Sequence, residues 1–237
     1  MLEAENGWGL LDAWKARRQF RWSAGQKNIF QLLAFILARA GLELTTISSS
    51  STLSNHYPAF AIYPGESGAQ AVRRLLEMVP DVLFFCGGCG YIRNPQASDA
   101  SSYSYGTGHA LLEGLYISSA QQPNRVQVYG LGMMAESFAW LEIADVYDRL
   151  SQVHDLNLGT LSQVQARAEG ELRKAQIAAS RGEIAVPLNC GQELYDVIEI
   201  TDIRAGLNQA KRRVLGLTWR YVPAKGLYEQ RLRLGLP

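Results

Sequence analysis

A chain of 237 residues, 47% apolar and 19% charged, can bury a sizeable core, which excludes a disordered or fibrous sequence. Its formal net charge of +1 gives no long-range pull toward nucleic acid or anionic lipid. No apolar run approaches the roughly 18 residues of a membrane span. The first residues are acidic where a signal peptide is basic and then apolar, and three cysteines suit a reducing compartment. The expectation is a soluble protein made in the cytoplasm, holding one large domain or two small ones.

In chain order, WGLLDAWKARRQFRW (8–22) is rich in tryptophan and arginine and has no distinct beginning. Residues 1–24 are therefore expected to be a connecting segment. From Asn28 a helix is marked by Ile29, Leu32, Leu33, Ile36, Leu37 and Ala40 on one face, with Gly41 at its C-cap. Leu42 to Ile47 reads as a short strand, followed by the polar loop SSSSTLSNH. Phe60 to Tyr63 reads as another, stopped by Pro64-Gly65. Ser67 is placed to cap a helix that turns Ala71, Val72, Leu75, Leu76 and Val79 inward and ends at Pro80.

FFCGGCGY (84–91) raises a chemical question, because Cys86 and Cys89 are spaced to chelate zinc, form a redox disulfide or flank a turn. A zinc site lacks its second ligand pair, since Cys190 and the three histidines are scattered. A redox site would sit at a helix N-terminus, yet DVLFF and GYIRN flank the pair as strands. The expectation is a hairpin turned by Gly87-Gly88. Residues 25–108 form a small α+β unit in this reading, its end NPQASDASSYSYGTG (94–108) being a linker or long loop.

Beyond it, Leu115 to Ser119 and Arg125 to Tyr129 read as strands joined by a turn at Gln122-Pro123-Asn124. A long helix over 160–181 carries the stripe Leu161, Val164, Ala168, Leu172, Ala175, Ala179, with Arg167, Glu171 and Lys174 opposite and an exposed Glu169–Arg173 pair. Leu194 to Thr201 is a strand apolar on both faces. The last two strands form a hairpin over VPAKG. One set (Leu215, Leu217, Trp219, Tyr221, Tyr228, Leu232, Leu234) is expected to line an interior, and the other (Arg220, Glu229, Arg231, Arg233) to stay outside. Residues 109–237 thus predict an antiparallel barrel or sandwich with one helix across it, and the whole chain an α+β fold.

Candidates for chemistry are few. Gly130-Leu131-Gly132-Met133-Met134-Ala135 has the G-x-G-x-x-A form of a dinucleotide-binding turn. The strand before it alternates wet (Arg125, Gln127, Tyr129) with apolar (Val126, Val128), and no strand ends at an acid about 20 residues on. A glycine turn after an edge strand is the simpler reading. A nucleotide-dependent enzyme using residues 130–135 is the alternative. Residues 64–68 miss the register of a nucleophile elbow. His56, His109 and His154 read as solvated. Asp196, Glu199 and Asp202 read as surface ion-pair partners of Arg204, Arg212 and Arg213, and Lys211-Arg212-Arg213 is too short for a nucleic-acid platform. Catalytic residues, metal ligands and cofactors are each expected to be none.

IAVPLNCGQELYDVIEITD (184–202) followed by RRVLGLTWRYVPAKGLYEQRLRLG (212–235) resembles the terminal β-barrel of phage tail baseplate hub proteins, the Mu-like contractile-tail (myovirus) family related to tail-tube proteins. QARAEGELRKAQ, PNRVQVYG and YPGESGAQAVRRLLEMVPDVLFF look like the same family. The resemblance implies a tube-like barrel over 109–237 and a structural, non-enzymatic virion protein of the tail baseplate. It implies a homo-oligomeric ring, a trimer, joining tail tube to central spike, with DNA only passing through and no membrane partner. Such hubs carry two barrels per chain. This sequence has room for one clear barrel, so the resemblance implies a second hub polypeptide or a reduced first barrel. Trp8, Trp14, Arg220, Glu229, Arg231 and Arg233 are the interface residues that follow from this view.

Overall fold

The computed structural model describes residues 6–117, 122–145, 147–179 and 181–237, and the chain divides into two compact units, each discontinuous in sequence. The first holds Met1–Asn94, Val126–Ser137 and Gln152–Glu171; the second holds Pro95–Arg125, Phe138–Ser151 and Leu172–Pro237. Residues 126–137 and 152–171, expected with the barrel, therefore belong to the first unit.

The first unit opens with α1 (Gly7–Ala13), β1 (Phe20–Trp22), α2 (Ile29–Arg39), β2 (Glu43–Thr46), α3 (Ser51–Asn55), β3 (Phe60–Ile62), α4 (Gly68–Leu76), β4 (Val82–Cys86) and β5 (Cys89–Arg93). Both longer helices begin with a capping box. The Asn28 side chain accepts from the Gln31 N–H while the Gln31 side chain accepts from the Asn28 N–H, and Ser67 with Gln70 repeats the device. Ile29, Leu32, Leu33, Ile36 and Leu37 of α2 meet Ala71, Val72 and Leu75 of α4 in one core. Residues 1–24 are not a mere connector: Leu11 is fully buried in that core, and β1 pairs antiparallel with β3. The β4–β5 hairpin sets Cys86 opposite Cys89, and β2 adds to β5 in parallel. Gly87 turns it with φ +59° while Gly88 stays out of the left-handed region, the pattern of a type II′ turn. Both cysteines are free thiols.

β6 (Ser101–Tyr105) and β7 (Glu113–Tyr116) precede a three-stranded sheet of β8 (Arg125–Tyr129), β9 (Met134–Phe138) and β10 (Leu150–His154), in the order β10-β8-β9. α5 (Trp140–Asp145) lies between β9 and β10. α6 (Leu161–Ala178), β11 (Gly182–Pro187), β12 (Val197–Asp202), β13 (Leu207–Val222) and β14 (Leu227–Gly235) complete the chain. The second unit's main sheet has the order β6-β12-β13-β14-β11-β7. Its ladders are antiparallel except β6–β12, which is parallel. The sheet curls into a half-barrel, so that the Tyr116 hydroxyl on edge strand β7 reaches the Asp202 carboxylate at the end of β12 (3.1 Å). A closed antiparallel barrel is not what the described ladders form. Its core joins Tyr105, Ile184, Val186, Ile198, Ile200, Val214, Leu232 and Leu234.

Several expectations change. The 94–108 stretch contains β6, with Tyr105 fully buried, because small polar residues can still pair while one aromatic anchors them. β7 and β8 lie in different sheets, so Gln122-Pro123-Asn124 joins no hairpin; residues 118–121 lie outside those described. Arg167 faces inward: its side chain is 8% exposed and pairs with Glu171 at 3.2 Å. Arg173 donates to the Pro237 carbonyl (2.5 Å) and Glu169 accepts from Gln165, in place of the predicted exposed pair.

Candidate functional site

The most distinctive surface is the far half of the β13–β14 hairpin. β13 is sixteen residues long. It pairs with β12 only from Leu207 to Arg213, then shifts register at a bulge near Leu215 and continues against β14 to Val222. On the other side, β11 follows β14 only as far as Pro187 opposite Glu229. The tip thus runs beyond both flanking strands.

Near the base of the hairpin, the inner face is core: Leu232 and Leu234 are fully buried. The same face continues outward as Trp219, Tyr221 and Tyr228, which are 64%, 68% and 55% exposed. Tyr221 and Tyr228 are cross-strand partners with rings edge to face, centroids 5.2 Å apart. The expectation that this apolar set closes a barrel fails at the tip, because among the described residues no strand pairs beside it to supply an interior. Sequence alternation identified the face from Leu217 onward, but the bulge puts Val214 in the core in place of Leu215, and the alternation did not show how far the sheet extends under it.

The opposite face carries the charges. Glu229, only 7% exposed, lies between Arg220 (3.6 Å) and Arg231 (3.4 Å). Arg231 also reaches Glu183 (3.1 Å) and Glu113 (3.6 Å), so its guanidinium binds its proton more tightly than usual, chiefly through the hydrogen bond to Glu183 and then that to Glu229. Arg233 donates to the Leu215 carbonyl at 3.2 Å. These contacts lie within one chain, tying β7, β11, β14 and β13 across one surface. Arg220 keeps half of its side chain exposed.

Trp8 and Trp14 fall in the first unit and are partly buried against its core. Trp8 meets Phe85 edge to face at 5.6 Å, and Arg73 stands 5.5 Å over its ring. Their sequence neighbourhood gave no sign of that internal role. A second exposed apolar group was missed altogether: Trp140 and Leu141 on α5, flanked by Phe138 and Tyr147, are all largely exposed.

The glycine motif leads from β8 into β9, a strand rather than a helix, with the Gly130 N–H bonded to the Met133 carbonyl (2.9 Å). β8 is the middle strand of its sheet, not an edge, and buries Val126 and Val128 while its alternate residues stay half-exposed. Pyrophosphate binding needs a helix N-terminus after the turn; a strand offers none. Asp196 accepts from the Glu193 N–H and the Gln192 amide, while Glu199 accepts from Ser101 and Asp202 from Tyr116. Arg213 is fully buried, donating to Asp99 (3.0 Å) and to the carbonyls of Tyr195 and Gln96 (both 2.8 Å). Of the histidines, His109 and His154 are exposed as expected, but His56 is only 4% exposed.

No protein-family model and no curated protein matches the sequence. Solved structures do resemble the fold. The tail protein from Neisseria meningitidis MC58 is 14% identical with a TM-score of 0.69, over 96% of this chain and 71% of that one. The 43 kDa tail protein of prophage MuSo2 from Shewanella oneidensis is also 14% identical, with a TM-score of 0.62 over 92% and 65%. Prophage tail protein gp18 from Listeria monocytogenes EGD-e is 11% identical, with a TM-score of 0.60 over 96% and 70%. The chain spans about two thirds of the length of these structures. At such identities the likeness establishes a shared mixed α+β architecture.

Proposed function

We propose that this chain is a structural component of a phage tail, a hub subunit of the baseplate that forms a ring between tail tube and central spike. The observation that carries the reading is the protruding hairpin, whose interior-type face leaves the body as Trp219, Tyr221 and Tyr228. Tryptophan and tyrosine left in water on a rigid ribbon are the residues that anchor protein interfaces. The fold likeness to three prophage tail proteins supports the context.

The hairpin tip on one side and the sheet edges β6 and β7 elsewhere are different surfaces, so a contact between them is heterologous, and a heterologous contact that closes gives a ring. A trimer agrees with the resemblance noted in the sequence. The tube, the spike and a second hub polypeptide are the partners in this reading. DNA passes the ring without being gripped, in keeping with the net charge of +1. No observation favours the nucleotide-enzyme alternative, because the glycine turn enters a strand.

The test has two parts. Light scattering on the purified chain should give a defined multiple of its 26.2 kDa mass, alone or with the adjacent tail proteins. Antibody labelling should find the chain at the baseplate end of purified tails. A strictly monomeric chain absent from tail particles would reject the proposal.

A further inference from the structure

The first unit contains a small cavity of about 140 Å³ lined by Thr52, Asn55, His56, Ser162, Ala166 and Arg167, among others. Two cationic or cation-forming side chains border it, each at least nine-tenths buried. His56 is 4% exposed with Nε2 lacking a partner. Arg167 has Nη2 on Glu171, but its buried Nε and Nη1 have none. Buried guanidinium donors without acceptors are costly, and the cavity borders them. Ser162 and Gln163 come from the first turn of α6, whose eighteen residues place the positive end of a helix dipole there as well.

The geometry points to a binding site for one small tetrahedral oxyanion of the sulfate or phosphate class, independent of the tail assignment. At about 140 Å³ the cavity is small but large enough for more than one water. That suits such an anion, and it falls well short of the roughly 300 Å³ at which pockets for drug-sized ligands begin. The charged groups around His56 are Asp155 and Arg167, and those around Arg167 are Glu171, Asp155 and Glu77. Glu171 is held by Arg167 itself, and Asp155 Oδ1 accepts from the Asn157 N–H and side-chain amide. Burial, the largest cause, holds the imidazole below its ordinary value. An anion there favours the imidazolium, and binding takes up a proton.

Sulfate is the first probe, because its charge is constant across the histidine range. Titrated into the intact chain at fixed ionic strength, it should saturate one site and bind progressively more tightly as pH falls from about 8 to about 5. The His56 imidazole resonances should shift with occupancy. Arg167→Gln should weaken binding at least tenfold, and His56→Gln should remove the pH dependence. Should Arg167→Gln fail to fold, Ala166→Leu fills the cavity without touching either cation and should abolish saturation. Equal effects of chloride and sulfate, an unchanged curve in Ala166→Leu, or unmoved His56 resonances would overturn the site. Tighter binding of acetate than of sulfate or phosphate would overturn the tetrahedral assignment.

Discussion

Trp219→Ala and Leu232→Ala remove side chains from one face of one hairpin, yet they should differ sharply in the isolated chain. Leu232 is fully buried, and truncating a buried leucine costs about 2–5 kcal/mol through lost transfer energy and the cavity left behind. Trp219 is 64% exposed and sits opposite Gln230, so its loss should change stability by no more than about 0.5 kcal/mol. Tyr228→Ala lies between them, because it breaks the edge-to-face contact with Tyr221, worth about 0.5–1.5 kcal/mol. Denaturant unfolding of the three variants, compared at a shared m-value, measures these differences. In the assembled ring the order should invert for Trp219. A covered interface tryptophan is worth about 2 kcal/mol or more, some 30-fold in subunit affinity. If Trp219→Ala destabilises the isolated chain as much as Leu232→Ala, the tip is packed within the subunit and the argument from an unpartnered face falls.

Arg213→Met should destabilise the second unit by about 1.5–3 kcal/mol, because it removes the buried guanidinium's hydrogen bonds to the Asp99 carboxylate and to the carbonyls of Tyr195 and Gln96; Asp99→Asn should cost less, as calorimetry can check. Gly130→Ala places a Cβ 2.7 Å from both the Leu158 carbonyl oxygen and Val164 Cγ2, for a loss of about 1–3 kcal/mol in melting analysis, and neither it nor the parent should give heat with NAD or ATP. Burial first, and then the hydrogen bond to Asp202, push Tyr116 up to about 12 from 10.0. A raised folded-state value contributes stability that is complete below the unfolded value and lost as pH rises through the window from 10 to 12. Tyr116→Phe should therefore flatten alkaline destabilisation across that window, and an unchanged pH profile would show that the contact is not made.

The two longer helices of the first unit were legible because their signals are local: Asn28 and Ser67 cap, Gly41 and Pro80 stop, and the apolar stripes between them repeat at helical period; α1 and α3, short and without such a stripe, were not. The cysteine hairpin was legible for the same reason. β6 was not, since SSYSY has no strong alternation and pairs only because β12, nearly a hundred residues on, provides a parallel partner. His56, Arg167 and Arg213 were read as solvated because charge predicts exposure, and only tertiary packing decides which charges are enclosed. The charged face of the last hairpin follows the sequence alternation, except that Glu229 is buried and not left outside. Its partners, Glu183 and Glu113, come from strands that sequence spacing could not align with it. That alignment has a consequence for mutational tests: Arg231→Glu would gather four carboxylates on one patch and unsettle the fold, so the aromatic tip is the cleaner probe of assembly.

The central claim is that this tip holds subunits together in the tail. Complementing a phage lacking the gene with the Trp219→Ser, Tyr228→Ser double variant, and imaging the tails by electron microscopy, tests it most directly. The account predicts a soluble chain of normal secondary structure that is missing from particles, with baseplates absent or incomplete. Complete baseplates containing the variant chain at full occupancy would contradict it.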